Sequence, residues 1–213
     1  MTKKEQILKI IDELKITYPD AKCALDYSTP HELLIATRLS AQCTDARVNI
    51  ITKTLFNRYK SLEEFAGANI EELEQIVRPC GLFRTKAKDI KEMSAILVTQ
   101  HNGIIPDTME ELLKLPGVGR KTANLILGDL YNKPAVITDT HVIRVSGRLG
   151  LVDTKVPQKV EQQLRKLLPI EESTMFCHRL VWHGREVCNA RKPKCEECSI
   201  SFYCNYFRPM SVR

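Results

Sequence analysis

No run of about 18 apolar residues, the length a membrane-spanning helix needs, occurs anywhere in the 213-residue sequence. The amino end has neither the apolar core nor the small-residue cleavage site of a secretory signal. Residues 1–15 read instead as a charged amphipathic helix. Low-complexity linkers are lacking, so composition marks no domain split. Strand signals are poor: Ala135 to Thr138, after Pro134, is the one short β-like run. Tryptophan occurs once, at Trp182, and is assigned to core against the cysteine-bearing region. These absences exclude a membrane-spanning or secreted chain and predict a cytoplasmic, all-α protein of about ten helices on short connections. A hydrophobic content of 43% and a charged content of 27% sit near globular averages, which argues against disorder.

Two surpluses stand against these absences. Thirty-two Lys and Arg exceed twenty-six Asp and Glu, a net charge of +6. An excess of that size only hints at a polyanion, but its placement says more: from His178 to Arg213 seven basic residues face three acidic ones. Eight cysteines in a reducing compartment do not form a disulfide framework, so a metal site becomes the leading explanation.

Helical punctuation recurs along the chain. Ile7, Ile10, Ile11 and Leu14 form an amphipathic stripe. Thr29-Pro30-His31-Glu32 supplies an N-cap, a first-turn proline and a capping-box glutamate. Ser61 with Glu64, Asn69 with Glu72, and Thr108 with Glu111 repeat that spacing. Pro157 opens a helix with Val160, Leu164, Leu167 and Leu168 inward, and Ser173 or Thr174 caps one running to about Val187. The most informative local sequence is Leu115-Pro116-Gly117-Val118-Gly119-Arg120-Lys121. Pro116 stops one helix and another starts near Arg120. Gly117 and Gly119 permit positive φ and close approach by another backbone. Their N–H groups, with the positive end of the next helix, suit a phosphate oxygen. On spacing alone an ordinary αα-turn explains the glycines equally well. A second, weaker turn signal lies at Cys80-Gly81-Leu82-Phe83-Arg84, flanked by Arg78, Lys86 and Lys88.

Cys188, Cys195, Cys198 and Cys204 are spaced C-x6-C-x2-C-x5-C. Four thiolates suit a [4Fe–4S] cluster or a structural Zn²⁺, and a single C-x-x-C knuckle leans toward iron–sulfur. A metal would pin the intervening loop and present Arg191, Lys192 and Lys194 at a fixed position for phosphate. An unpinned solvated loop is the plainer alternative. Cys23, Cys43, Cys80 and Cys177 are dispersed and read as small buried hydrophobes.

The Leu115–Lys121 turn, the cysteine spacing and Thr138-Asp139-Thr140-His141-Val142 together resemble the endonuclease III family of helix–hairpin–helix DNA glycosylases. Leu39-Ser40-Ala41-Gln42-Cys43-Thr44-Asp45 and Gly81-Leu82-Phe83-Arg84-Thr85-Lys86-Ala87 extend the likeness along essentially the full length. Thr138 departs from it, standing where the family more often has an apolar residue.

The resemblance implies a six-helix barrel domain over 22–132. It also implies a discontinuous helical domain, 1–21 with 133–213, which carries a [4Fe–4S] cluster on Cys188, Cys195, Cys198 and Cys204. A DNA-binding cleft would lie between the two. It implies a base-excision repair enzyme acting as a monomer on double-stranded DNA with damaged pyrimidines or abasic sites. Such an enzyme would be cytoplasmic and nucleoid-associated, in a bacterium.

Lysine at 121 places the chain with the bifunctional branch, which removes a base and nicks the strand. Lys121 would be the nucleophile, its ammonium disfavoured by the helix dipole and by partial burial, and Asp139 its carboxylate partner. Gln42 and Leu82 would enter the space left by the flipped base. Gly117, Val118, Gly119 and His141 would hold backbone. Read locally, Lys121 is a surface lysine, Asp139 a helix N-cap, Gln42 a helix-end residue and Leu82 a core leucine.

Overall fold

The computed structural model describes residues 1–207, and side-chain caps satisfy first-turn N–H groups in most of its α-helices. No strand occurs among the described residues; Ala135–Thr138 is buried without regular secondary structure, with Ile137 N–H donating to Cys177 Sγ at 3.3 Å. The β-like run is thus a connector whose amide finds a thiol instead of a neighbouring strand. The chain divides into two compact units, residues 24–131 and residues 1–23 with 132 onward.

Residues 24–131 hold α2 (Pro30–Leu39), α3 (Asp45–Arg58), α4 (Leu62–Ala66), α5 (Ile70–Val77), α6 (Phe83–His101), α7 (Met109–Lys114) and α8 (Arg120–Tyr131). A capping box opens α2: Thr29 accepts from Glu32 N–H while Glu32 reaches back to the Thr29 amide. Side chains of Ser61, Asn69 and Thr108 cap α4, α5 and α7. Each such cap is worth about 1 kcal/mol. The 19-residue α6 lies against α4 and α5, while α2 packs on α3, α6 and α8. Phe65 is wholly buried, with Tyr59 at 5.2 Å and Phe56 at 6.5 Å between ring centroids. Cutting it to alanine would cost about 3–5 kcal/mol.

The other unit is built from α1 (Lys3–Thr17), α9 (Thr140–Leu149), α10 (Pro157–Leu167) and α11 (Ser173–Glu186). Ile7, Ile10, Ile11 and Leu14 are buried, as the stripe requires. Buried Gln6 donates from Nε2 to Leu149 O at 2.8 Å and Tyr203 O at 2.7 Å. One amide therefore joins the amino-terminal helix to the end of α9 and to the cysteine-bearing tail. Helix α9 packs on α11 at Gly184, where a Cβ would lie 2.9 Å from His141 Nδ1. The expected Ser173 or Thr174 cap is not found: Glu172 stands at that position without a side-chain bond, and Ser173 is already inside the helix. Trp182 is half-buried rather than core, edge-on to Tyr18 with Nε1 donating to Lys22 O at 3.2 Å.

Candidate functional site

The hairpin between α7 and α8 uses its two glycines differently. Gly117 has φ 73°, and a Cβ there would meet Arg38 Nε at 2.4 Å and Asp89 Oδ2 at 2.7 Å. Arg38 and Asp89 are themselves paired, Nε to Oδ2 at 2.7 Å, so α2 and α6 buttress the turn from below. Gly119 lies outside the positive-φ set and has nothing within 4 Å of a Cβ position. Of the two glycines, which both permit positive φ, only Gly117 adopts it: Gly117 needs glycine for conformation and packing, whereas Gly119 leaves open space outward. Val118 is 7% exposed and gives its N–H to Leu115 O at 3.1 Å, which makes it the anchor of the turn.

Lys121 follows in the first turn of α8, where N–H groups have no intrahelical partner. Its side chain is exposed, so the partial burial expected for it is absent. The reason is register: Ala123, Asn124, Ile126 and Leu127 take the buried face of α8, and residue 121 falls outside it.

Gln42 and Leu82 are both exposed and both left-handed, with φ 56° and 48°. Asn102 and Asn132 are the other positive-φ residues besides glycine among the described residues, and asparagine tolerates that region. For Gln42 and Leu82 the conformation costs about 1–2 kcal/mol each. Strain of this kind collects where a turn must present a side chain. Leu82 is 54% exposed, against the plainer reading of a core leucine. Arg78 and Arg84, both exposed, lie 5.7 and 5.6 Å from the Phe83 ring beside it. Lys86, the flanking cation that follows them, is wholly buried. The stripe Lys86, Ile90, Met93, Leu97 would have shown this, since it places residue 86 on the core face of α6.

In the second unit Asp139 is the N-cap of α9, its Oδ1 accepting from Val142 N–H at 2.7 Å. The cap uses one of two carboxylate oxygens, so capping and a chemical role do not exclude each other. His141 is half-buried, with Arg144 Nη2 at 3.1 Å from its Nδ1. Burial holds this imidazole below its usual range, Asp139 pulling the other way. Arg144 also donates to Gly184 O at 2.8 Å and Cys188 O at 3.1 Å, tying the start of α9 to the first cysteine.

Cys188, Cys195, Cys198 and Cys204 all line one pocket, walled by Val145, Leu149, Val187 and Ile200. Among the described residues no three His, Cys, Asp or Glu side chains meet as a single-ion site. A lone Zn²⁺ needs its sulfurs about 2.3 Å from one centre. Four thiols ringing an apolar hollow suit a multi-iron cluster, so the residues present fit the iron–sulfur expectation.

The surroundings agree with that fit. Arg148 Nη1 lies 3.3 Å from Cys188 Sγ, and His183 Nε2 3.5 Å from Cys198 Sγ. Burial pushes the Cys198 thiol up to about 11 and holds His183 down at about 4, so the unliganded thiol and imidazole are neutral. Metal binding must then displace thiol protons. Tyr18 Oη sits 3.3 Å from His183 Nδ1, and burial raises its phenol to about 12.

Arg148 also fixes the loop between the first two cysteines. It donates to Asn189 O at 2.7 Å and Ala190 O at 2.8 Å, with its guanidinium 4.8 Å from the Tyr206 ring centroid. Lys194 N–H bonds Val187 O at 2.9 Å and closes the loop. Arg191, Lys192 and Lys194 are all exposed on it. Sequence reasoning passed over Arg38, Asp89, Arg144, Arg148 and His183, because each acts on a partner more than ten residues away.

Comparison with known proteins points one way. Residues 35–170 match the HhH-GPD superfamily base excision DNA repair protein family, and residues 188–204 match the iron-sulfur binding domain of endonuclease III. Endonuclease III of Synechocystis sp. is 46% identical over 204 residues, 95% of this chain and 93% of that protein. A solved non-covalent endonuclease III–DNA complex has 42% identity and a TM-score of 0.92, covering 100% of both chains. A trapped endonuclease III–DNA covalent intermediate has 43% identity and a TM-score of 0.92, covering 99% of this chain and 100% of that one.

Proposed function

The chain belongs to the endonuclease III family of the HhH-GPD superfamily, and from that premise we propose that Lys121 is the nucleophile with which it excises damaged pyrimidines from DNA. It is a base-excision repair enzyme, a DNA glycosylase and abasic-site lyase with a [4Fe–4S] cluster. The observation that carries the proposal is an exposed amine in the first helical turn after a buttressed hairpin whose Gly119 leaves the approach open.

The unprotonated Lys121 amine attacks C1′ of the deoxyribose, the glycosidic bond breaks, and the base leaves with the bonding pair and takes up a proton. Opening of the sugar ring gives an iminium at C1′. Loss of the C2′ proton to a base then expels the 3′ phosphate by β-elimination. The Asp139 carboxylate stabilises positive charge at the sugar as the base departs and assists proton transfer to and from Lys121. Gln42 and Leu82 take the place of the flipped nucleotide, Gln42 bonding the orphaned base and Leu82 wedging the stack.

Gly117 and Gly119 let the hairpin approach a phosphate, and Arg191, Lys192, Lys194 and His141 add backbone contacts without reading sequence. Cys188, Cys195, Cys198 and Cys204 would hold the cluster, and once bound there it would keep the cationic loop in shape. We place the enzyme as a monomer on chromosomal DNA in the bacterial cytoplasm; no helix among the described residues is long and apolar enough to cross a membrane.

Borohydride trapping tests the assignment, using duplexes that carry thymine glycol or an abasic site. A covalent adduct should form with the wild type and vanish in Lys121→Ala. Base release without an adduct would make the chain a monofunctional glycosylase, and neither product would leave a protein that only binds DNA.

A further inference from the structure

Lys86 is the largest charged side chain wholly buried among the described residues, and its ammonium is held by backbone rather than by a carboxylate. Its Nζ donates to two carbonyls, Leu39 O at 2.8 Å and Cys80 O at 2.7 Å. Leu39 is the last residue of α2, and Cys80 ends the 3₁₀ turn Arg78–Cys80. The ammonium therefore sits at the negative end of one helix dipole and closes two chain ends that would otherwise be short of donors.

Both carbonyls stand just before a strained, exposed turn. Gln42 lies three residues after Leu39, and Leu82 two residues after Cys80. Among the described residues these are the two exposed ones held in left-handed backbone without being glycine or asparagine. The same segments also meet at two cysteines: burial first, and the neighbouring Cys43 thiol next, push the Cys80 thiol up to about 11. The Gln42 turn is fixed from its other side by Cys43 N–H on Ser40 O at 3.1 Å and Ser40 Oγ on Thr37 O at 2.9 Å. A helix C-terminus alone needs no buried cation, since water or a surface lysine satisfies its carbonyls. An apolar side chain would fill the same space without desolvating a charge. An amine with two directed donors adds a fixed distance between the bases of two strained turns.

We infer that Lys86 is a positioning residue, which spaces the Gln42 and Leu82 turns so that both side chains enter the same gap in the duplex. The inference rests on the proposed role of those two residues in filling the space left by the flipped nucleotide. Lys86 itself is buried and touches no DNA. Its effect is to make one rigid two-pronged element from two loops that are 40 residues apart in sequence.

The test is a cycle of variants on a duplex with a tetrahydrofuran abasic analogue opposite 2-aminopurine. Lys86→Met keeps the length of the side chain and removes the donors. It should retain helical content and iron, weaken binding by about tenfold to a hundredfold, and alter the 2-aminopurine fluorescence that reports the orphan base. In a Gln42→Ala/Leu82→Ala background the same substitution should have no further effect on affinity. Equal weakening in both backgrounds would make Lys86 a residue of stability only and overturn the inference. So would wild-type affinity and fluorescence in Lys86→Met. If the double alanine variant binds and fluoresces as the wild type does, the proposed role of Gln42 and Leu82 fails first. Should Lys86→Met not fold, Lys86→Gln, with a neutral donor, replaces it in the same cycle; failure of both to fold also overturns the proposal.

Discussion

Gly117 and Gly119 stand two residues apart in one turn, and substituting each by alanine separates folding from DNA binding. At Gly117 the new Cβ would lie 2.4 Å from Arg38 Nε, 2.5 Å from Arg38 Cδ and 2.7 Å from Asp89 Oδ2. Neither neighbour is loose, since the Arg38 and Asp89 side chains are 11% and 16% exposed and paired at 2.6 Å. The left-handed φ of 73° adds about 1–2 kcal/mol for an L side chain. Prising apart a charge-assisted, largely buried hydrogen bond adds about 1.5–3 kcal/mol. Gly117→Ala should therefore lose roughly 3–4 kcal/mol, which for a chain of this size lowers Tm by about 6–16 °C.

Gly119→Ala meets nothing within 4 Å and needs no unusual φ. Its stability should stay within about 0.5 kcal/mol of the wild type. A methyl group there projects into the space proposed for the phosphate, so affinity for an abasic duplex should fall while Tm holds. Thermal melts followed by circular dichroism, together with fluorescence anisotropy on a labelled duplex, read both quantities. Should Gly117→Ala melt as the wild type does, or Gly119→Ala lose as much stability as Gly117→Ala, the division of labour within this turn is wrong.

Replacing Arg191, Lys192 and Lys194 together by alanine should flatten the log–log salt dependence of DNA binding by about 2.7, at roughly 0.9 for each phosphate neutralised; an unchanged slope would place the three cations away from DNA. Leu82→Gly should relieve about 1 kcal/mol of left-handed strain and match or exceed the wild-type Tm while weakening binding to an abasic duplex, so a stability loss would refute the strain at that residue. Burial lowers His141 in the fold, so the unfolded chain takes up a proton that the fold resists. Stability contributed by its neutral form is then lost as the pH falls below about 6.5 and through the lower folded value. The drop in Tm between about pH 7.5 and about pH 5.5 should be smaller in His141→Asn, and an equal drop would count against the assignment. Cys198→Ala should yield protein with little iron and weak visible absorption, whereas a full iron complement would remove Cys198 from the ligand set.

The helices were legible because their signals are local. Thr29, Ser61, Asn69 and Thr108 cap helices within three residues of themselves, and the α1 stripe needs only one helical face. Two lysines show where local reading stops. Lys121, expected to be partly buried, is exposed, and Lys86, which the sequence marks only as a cation flanking a turn, is wholly buried. Composition and charge treat them alike, since both open a helix just after a glycine-containing turn. They differ in helical register: Lys86 shares a face with Ile90, Met93 and Leu97, whereas Lys121 lies off the buried face of α8. A periodicity count decides that much, but it cannot say that the Lys86 amine reaches a carbonyl 47 positions back. The same holds for Arg38 under Gly117 and for Arg148 beside Cys188. Residues proposed to touch substrate sit in short recognisable runs, because the chemistry fixes their type and spacing. Residues that hold them in place are set by packing between distant helices, where the only constraint is that some side chain of suitable length and charge arrives. For this family member the sequence therefore nominates the candidate reacting groups, while the supports that set their positions emerge only in three dimensions.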